Sequence, residues 1–423
     1  MSKERTRLVR TRRTWRGIAG AVTAVVLVGG GFAVANASTD TQTGKSAAGV
    51  KRPVDKKATG TKAVVSAANA FLNTLDADQQ AEVLLELTQA NATAWSNLPC
   101  GSSCRPGIEL GSLSDTQLAA AVQLLKVATG TGKGSGYDQI QQIIKADDVL
   151  ASVQATSSAG TGPAPSGTAS STASADPSAT AAPSSTATDA PTGAPPSGGT
   201  GGGSFGYGSG LYYMAFLGTP SADGTWQLHF GGHHLAVDLT YKKGKVAGAS
   251  PYFVGVEPTS WTADDGTTYT PLEAQRNGML ALTGSLSTEQ LATAKLSGTY
   301  NDVLLGPGED GQFPETKEGI KVSELSPKQQ KLVLKAIHPW VANVDDATAQ
   351  QLMKTYEREL NETYVSYSGG TALDTQGDYV RIDGPGVWIE FVCQNGIVFQ
   401  GKIHYHTVYR DHTRDYGSEF TFS

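Results

Sequence analysis

The sequence predicts an α+β fold in which an N-terminal helical part packs on a largely antiparallel mixed sheet with additional helices. Between residues 63 and 151, apolar residues recur at helical spacing. Beyond residue 211, short β-branched and aromatic runs bounded by Gly, Pro or Asn alternate with further helical patterns. Residues 152–210 are mainly Ser, Thr, Ala, Pro and Gly, a composition that predicts a disordered linker interrupting the fold.

Residues 1–37 are typical of a targeting segment. A basic stretch is followed by an apolar run over 18–34 and by Ala35-Asn36-Ala37, the small-x-small pattern of a signal peptidase site. We expect cleavage after Ala37 and an extracytoplasmic, secreted protein, exported by the general route or, given the Arg12-Arg13 pair, by the twin-arginine route. The alternative is an uncleaved anchor, because the apolar run approaches the roughly 20 residues that span a bilayer.

The charge changes sign along the chain. The full sequence has a formal net charge of −6, but removing residues 1–37 takes away seven of the 33 basic and one of the 39 acidic residues and leaves −12. An acidic surface repels phosphate, which disfavours nucleic acid and anionic lipid as partners. We therefore expect a small-molecule substrate or ligand, with membrane contact only through an uncleaved N-terminal segment.

The first folded piece, residues 63–151, follows a flexible leader at 38–62 and shows helical patterns at 63–97, 118–127 and 140–150. Four capping boxes predict four helix starts in the whole chain, each with an N-cap residue and a Gln three positions later. The pairs are Asp76/Gln79, Ser114/Gln117, Ser287/Gln290 and Ser326/Gln329. They do not require a duplication, because the same capping physics selects the same residues.

The second piece, residues 211–423, alternates helices with strands. Helices are predicted at 291–296, 331–341 and 347–360, and strands at 212–217, 225–230, 234–241, 246–256, 364–368, 379–382, 387–393 and 397–408. Asn395-Gly396 predicts a two-residue hairpin turn. With that turn, Glu390 lies on the face opposite His404 and His406, and Cys393 lies on their face but several residues away.

Five stretches in order resemble one known family. They are Ala-Asn-Ala-Phe-Leu at 68–72, Gly-Gly-His-His-Leu at 231–235, Val-Glu-Pro at 256–258, Arg-Ile-Asp-Gly-Pro at 381–385 leading into Trp-Ile-Glu at 388–390, and His-Tyr-His-Thr-Val-Tyr-Arg-Asp at 404–411 with Asp-Tyr-Gly at 415–417. Their spacing resembles the bacterial family catalogued as domain of unknown function 3500. The resemblance implies that both pieces dock as one globular unit across the linker, and it implies no activity.

All seven histidines lie beyond the linker, and His233, His234, His404 and His406 form two short runs. On a strand His404 and His406 share a face, the spacing that lets two imidazoles bind one metal ion. His233 and His234 point to opposite faces, so one of them joins, and His234 with Asp238 offers the better ligand face. Zinc and copper are the candidate metals, since imidazole suits both and no Cys joins in.

Three further residues are candidates for catalysis. Glu257, at the end of the predicted 246–256 strand, and Asp411 can act as acid or base, and Arg410 can orient an anionic substrate. The alternative is structural: Arg410 with Asp411 or Asp415 forms a loop-fixing ion pair, and the histidines serve packing.

Two functions follow from these residues. The leading hypothesis is a metal-dependent enzyme, with zinc or copper, acting on a small or anionic extracytoplasmic substrate. The alternative is a non-catalytic extracytoplasmic module that binds a ligand or a metal. No Gly-x-Ser-x-Gly, Walker, Rossmann or His-Glu-x-x-His pattern occurs, which disfavours serine hydrolases, nucleotide-binding enzymes and classical zincins.

The three cysteines bear on the compartment. Cys100 and Cys104 are close enough in sequence for a small-loop disulfide in an exported chain, and two free thiols are the alternative. Cys393, in a predicted strand, is expected to be a buried free thiol.

Overall fold

The computed structural model describes residues 51–134, 136–159 and 206–422. The predicted targeting segment, most of the predicted leader and residues 160–205 of the predicted linker lie outside these ranges. Within them, no helix is long and apolar enough to cross a membrane. The last helix before the gap ends at Ala159, eight residues beyond the predicted end of the helical piece.

The described residues form helices and strands in the following order. The helices are α1 Thr61–Leu72, α2 Ala77–Val83, α3 Gln89–Ala92, α4 Asp115–Thr129, α5 Gly136–Ala159, α6 Glu273–Thr283, α7 Thr288–Ala294, α8 Pro327–Val341 and α9 Asp346–Glu359. The strands are β1 Leu84–Leu85, β2 Ile108–Glu109, β3 Tyr213–Leu217, β4 Thr225–Gly232, β5 Leu235–Lys242, β6 Lys245–Gly248, β7 Tyr252–Val256, β8 Trp261–Thr262, β9 Thr268–Tyr269, β10 Ile320–Lys321, β11 Tyr364–Ser368, β12 Tyr379–Asp383, β13 Val387–Asn395 and β14 Ile403–Asp411.

Twelve of these strands form one mixed, mostly antiparallel sheet, so the α+β prediction is confirmed. The order is β1-β3-β4-β5-β7-β14-β13-β12-β11-β10, with β2 also on β3 and β6 also on β5. β1 runs parallel to β3, and the other pairs within this sheet are antiparallel. β8 and β9 form a separate two-stranded ribbon.

The two pieces on either side of the predicted linker share this sheet. β1 and β2, from before the gap, both pair with β3 from after it. One hydrophobic core also joins them, because Phe71 and Ile140 pack in the same cluster as Tyr252 and Tyr409. Burying these side chains against each other stabilises the docked arrangement at about 1.5–3 kcal/mol for each large apolar residue.

All four predicted helix starts are confirmed. In each, the N-cap side chain accepts from the backbone N–H of the third helical residue, and the Gln side chain at that residue accepts from the N-cap backbone N–H. The N-cap residues are Asp76, Ser114, Ser287 and Ser326. The predicted helical stretch at 63–97 is divided into α1, α2 and α3 with β1 between them. The predicted 246–256 strand is divided into β6 and β7.

The predicted two-residue turn at Asn395-Gly396 is wrong. Asn395 pairs with Ile403, so the β13–β14 loop spans residues 396–402. The physical reason is a contact from elsewhere in the chain: Glu257 Oε1 accepts from the backbone N–H groups of Val398 at 2.9 Å and Phe399 at 2.7 Å. This contact satisfies backbone groups that a tight turn would have paired within the strands.

The sheet consists of two halves with the same topology. Each half runs through four strands, β3-β4-β5-β7 and β11-β12-β13-β14, and the two last strands pair in the middle. Their antiparallel register pairs Tyr252 with Tyr409. Each half also begins with equivalent helices: α1, α2, α4 and α5 in the first, and α6, α7, α8 and α9 in the second. The halves are therefore related by an approximate two-fold axis near Tyr252 and Tyr409.

Two glycines confirm the equivalence in detail. Gly107 and Gly319 lie 212 positions apart, each just before the short strand that precedes a capping box, with φ of 97° and 102°. A Cβ on Gly107 would lie 2.2 Å from the Met214 carbonyl oxygen, and one on Gly319 would lie 2.3 Å from the Val365 oxygen. Both positions thus need glycine for the same close approach of two backbones.

The two faces of the sheet are covered differently. The helices of both halves cover the face of Tyr252 and Tyr409, where α5 and α9 each supply a hydrogen-bond partner for one of these tyrosines. The opposite face carries a smaller apolar cluster that includes Trp95, Phe253 and Val408. Loops and the short helix α3, whose Ala92 clusters with Ala215 and Leu217, cover this second face, and His404 and His406 lie on it.

Candidate metal centre

His404 and His406 lie on β14 and point to the loop-covered face of the sheet. They are two positions apart on a strand, so the period of two places both rings on one side. Their Nε2 atoms lie 3.2 Å apart. Two nitrogens bound at 2.0–2.1 Å to one tetrahedral ion are about 3.3–3.4 Å apart.

The outer nitrogens of the same two rings are already bonded. His404 Nδ1 donates to the Asn395 carbonyl oxygen at 2.8 Å. His406 Nδ1 lies 2.9 Å from Asp302 Oδ1 and 3.0 Å from the Gln394 amide. A carbonyl and a carboxylate only accept, so the Asn395 oxygen places the His404 proton on Nδ1, and the Asp302 carboxylate does the same for His406, where the Gln394 Nε2 atom also approaches. With these tautomers two Nε2 lone pairs face each other across 3.2 Å, an arrangement that a bound cation stabilises.

His234 is the third member of the cluster. The ligand atoms of His234, His404 and His406 all lie within 4.8 Å of one another, and the three residues are 1%, 2% and 6% exposed. His233 and His234 were predicted to lie at the start of a strand. They are instead the two residues of the turn between β4 and β5, since Gly232 pairs with Leu235. The turn lets His234 reach over β7 toward β14.

Gly255 on β7 makes room for this approach. It pairs with His406 across the ladder, and its N–H donates to the His234 carbonyl oxygen at 2.8 Å. A Cβ there would lie 2.7 Å from His234 Cδ2 and 2.9 Å from His406 Cδ2. Glycine at 255 is therefore required for the two imidazoles to converge.

Burial favours the neutral forms of His404 and His234, which are the forms that bind metal. It lowers the pKa of His404 to about 2, with further lowering by the neighbouring His406 and His234. It also lowers the pKa of His234 to about 3, assisted by His233.

Asp147 on α5 lies behind the β4–β5 turn. Its Oδ1 is 3.3 Å from His233 Nδ1 and 3.5 Å from His234 Nδ1, and its Oδ2 accepts from the Tyr212 hydroxyl at 2.8 Å. The ring of Tyr207 meets His233 edge to face, with centroids 4.7 Å apart. His233 is therefore next to the cluster but faces Asp147.

Asp238 was predicted to share the ligand face with His234, but in the structure it contacts His229 instead. Its Oδ1 is 2.6 Å from His229 Nδ1 and accepts from Gln227 Nε2 at 2.7 Å. Asp147, 91 positions earlier in the chain, is the carboxylate that lies against His234.

Glu257 lies at the edge of the cluster. It follows Val256, which pairs with Tyr405, and its carboxylate accepts hydrogen bonds from the backbone N–H groups of Val398 and Phe399 in the β13–β14 loop. Among the described residues, two groups have ligand atoms within 4.8 Å of one another: His234 with His404 and His406, and Asp147 with His233 and His234. Glu257 belongs to neither, so it supports the loop beside the site.

The structure does not bring Arg410 and Asp411 into the cluster. Arg410 is fully buried, and its guanidinium donates to Asp310 Oδ1 at 2.5 Å and Asp415 Oδ2 at 2.7 Å. Asp411 points to the helix-covered face, where it accepts from the Tyr356 hydroxyl at 2.6 Å. Geometry therefore favours the structural reading of both residues.

The observed β13–β14 register also places two residues of β13 on sheet faces other than those predicted. Glu390 pairs with Val408, so it shares the face of His404 and His406 rather than the opposite one. Its carboxylate is nevertheless used by four donors, the backbone N–H groups of residues 304 and 305, the Tyr379 hydroxyl and the Trp388 indole. Cys393 pairs with Tyr405 and lies on the face away from the histidines. It is buried and free, as predicted.

The other histidines have separate surroundings. His229 is paired with Asp238, and His412 Nε2 lies 3.0 Å from Asp383 Oδ1 and stacks on Phe313. His338 is exposed on α8. Cys100 and Cys104 form the predicted disulfide, with Cα atoms 5.9 Å apart.

Sequence reasoning missed Asp147, Asp302 and Gly255. A signal for Asp147 existed, since it follows Ile140 and Ile144 on the apolar stripe of a predicted helix, where a carboxylate is unusual. Asp302 and Gly255 gave no such signal, because their roles depend on strand neighbours distant in sequence.

The fold and site define an α+β protein with a buried three-histidine cluster on one sheet face. Residues 57–418 match the family described as protein of unknown function (DUF3500), and the chain belongs to that family. No curated protein and no solved structure matches the chain.

Proposed function

We propose that the protein is a metal-dependent enzyme that holds one zinc or copper ion on His234, His404 and His406. The observation that carries this proposal is the 3.2 Å approach of the two Nε2 atoms while both Nδ1 atoms are bonded on the outer side of the rings. Outer-shell bonds of this kind set the tautomer and orient metal-binding imidazoles. Three imidazoles without a thiolate suit zinc and copper.

Three protein ligands leave a fourth position for water or substrate, which is the arrangement of catalytic zinc sites. In such a position zinc lowers the pKa of bound water to about 7, and copper supports oxidative chemistry. The protein's own contribution is to exclude water and to fix the rings. Asp302, which is exposed, marks the side on which a small extracytoplasmic substrate reaches the site.

The test is the metal content of the purified full chain, with the variants His404→Ala and His406→Ala. Each variant should lose one ion per chain relative to wild type, whereas His338→Ala, which removes an exposed histidine from α8, should lose none. A wild-type protein that retains no zinc or copper after loading and dialysis overturns the proposal. Turnover by the loaded protein on a panel of hydrolysable and oxidisable small molecules then identifies the reaction.

The burial of the cluster favours a second candidate function, a non-catalytic module that stores or carries a metal. The three histidines are at most 6% exposed, which slows exchange of ligands at the fourth position. Full metal loading without turnover of any panel substrate supports this candidate over the enzyme.

We also propose that the protein is exported. The basic and apolar segment with Ala35-Asn36-Ala37 supports cleavage after Ala37, and the Cys100–Cys104 disulfide suits an oxidising compartment. N-terminal sequencing of the protein recovered outside the cytoplasm should begin at Ser38. An intact N-terminus in the membrane fraction supports the anchored alternative.

A further inference from the structure

A second set of ligand atoms meets at the other side of His234. Asp147, His233 and His234 offer one atom each, all within 4.8 Å of one another. Asp147 and His234 are 1% exposed, and His233 is partly buried. The cluster shares His234 with the three-histidine site. Asp147 Oδ1 lies 3.5 Å from His234 Nδ1, whereas Cδ2, the carbon next to Nε2, is the His234 atom nearest a Cβ built on Gly255.

The two distances from Asp147 to the histidines fit one ion, and the ligand atoms of His233 and His234 lie within 4.8 Å of each other. Asp147 Oδ1 lies 3.3 Å from His233 Nδ1 and 3.5 Å from His234 Nδ1. Ligands at about 2.0–2.2 Å from a tetrahedral ion are separated by roughly 3.3–3.6 Å. The second carboxylate oxygen of Asp147 accepts from Tyr212, a contact that orients Oδ1 toward the two imidazoles.

An unpartnered atom points to a ligand here. His234 Nδ1 is buried, and its 3.5 Å contact with Asp147 Oδ1 lacks the geometry of a full hydrogen bond. A buried polar atom without a good partner destabilises the fold, so such atoms call for an explanation. A metal ion coordinated by Nδ1 supplies one.

We propose that His234 bridges two metal ions, one on Nε2 with His404 and His406, and one on Nδ1 with His233 and Asp147. Binding of the second ion displaces the ring N–H proton of His234, which leaves to solvent, so the bridge is an imidazolate. This inference rests on the proposed function, because the first ion is that of the three-histidine site.

Zinc counting by native mass spectrometry of the folded full chain tests the bridge. Wild type should bind two ions, His233→Ala one and His404→Ala one. Asp147→Asn should also bind one, and Asp138→Asn, a change on the same helix that contacts neither cluster, should bind two. Wild type with one ion, lost in His404→Ala and kept in His233→Ala, overturns the bridge and leaves the proposed function standing. Wild type with no ion overturns both.

Copper loading supplies a readout that two independent sites would not give. Two Cu²⁺ ions joined by one imidazolate couple magnetically, so the paramagnetic resonance signal of loaded wild type should fall well below that of two isolated ions. His233→Ala should restore the full signal of a single ion. A wild-type signal equal to two uncoupled coppers contradicts the bridge.

Discussion

The two halves of the sheet share a framework but differ in the residues at their hairpin turns. Gly232 pairs with Leu235 in the first half, and Gly384 N donates to Val387 O in the second, so each turn has two residues. Those residues are His233-His234 in the first half and Pro385-Gly386 in the second.

A helix carboxylate lies against each turn. Asp147 of α5 contacts both histidines in the first half, while Glu359 of α9 accepts from Gly386 N at 3.0 Å in the second. Another carboxylate lies three residue pairs along the strand ladder from the pair that closes each turn. It is Asp238, paired with His229, in the first half and Glu390, paired with Arg381, in the second. The carboxylates therefore recur as part of the framework, and the turn histidines do not.

The strands at the two-fold axis differ in the same way. β7 begins at Tyr252, whereas β14 begins six residues before its counterpart Tyr409, and that extra segment carries His404 and His406. The site thus combines a turn from one half with a strand extension from the other. Residues that break a repeated framework at one place are better explained by function than by packing.

The largest expected effect comes from giving the first half the turn of the second. The double substitution His233→Pro with His234→Gly removes the shared ligand and should weaken zinc binding by more than about 100-fold, since loss of an outer-shell partner alone costs 10–100-fold. The fold should survive, because Pro385-Gly386 serves the equivalent turn. Calorimetric titration measures the affinity, and wild-type affinity in this variant would show that His234 is not a ligand.

The next largest effect, a loss of stability, is expected at Gly107 and Gly319, the two glycines of the shared framework. Gly107→Ala and Gly319→Ala should each destabilise the protein by about 2–4 kcal/mol, because both add overpacking and strain at positive φ. Denaturant unfolding measures the change. Gly298→Ala, whose Cβ would lie 3.5 Å from the nearest atom, is the control and should change little. Unequal losses at the two framework glycines would argue against equivalent halves.

Gly255→Ala should act mainly on the site. Its Cβ pushes against His234 and His406, so we expect about 1–3 kcal/mol of destabilisation and weaker zinc binding. The framework glycine variants, in contrast, should bind zinc normally once folded. Normal zinc affinity in Gly255→Ala would contradict the convergence of the two rings over β7.

The smallest effect concerns the capping boxes. Ser114→Ala and Ser326→Ala should each lower the free energy of unfolding by about 1 kcal/mol, and their effects should add within about 0.5 kcal/mol. Ser152→Ala is the control, because the Ser152 hydroxyl donates to the Val149 carbonyl oxygen within α5 and caps no helix. A cost confined to one half would show that the two boxes are not equivalent.

Features that depend on neighbouring residues could be predicted from the sequence. The capping boxes are visible because donor and acceptor lie three residues apart. The shared face of His404 and His406 is visible because side chains on a strand alternate with a period of two. The β13–β14 loop was not predictable, since Glu257 holds it from about 140 residues away.

The turn position of His233-His234 was hidden for a related reason. Their neighbours Leu235 and Ala236 continue an ordinary strand pattern, and only the pairing of β4 with β5 shows where the strand begins. Asp302 approaches His406 from a loop whose path depends on the packing of the whole sheet face.

The ligands of the first ion can be observed directly. X-ray absorption of the full chain loaded with one equivalent of zinc should show three imidazole nitrogens at about 2.0–2.1 Å, and His404→Ala should reduce the imidazole scattering. A shell made only of oxygen ligands, unchanged in His404→Ala, would contradict a metal centre built on His234, His404 and His406.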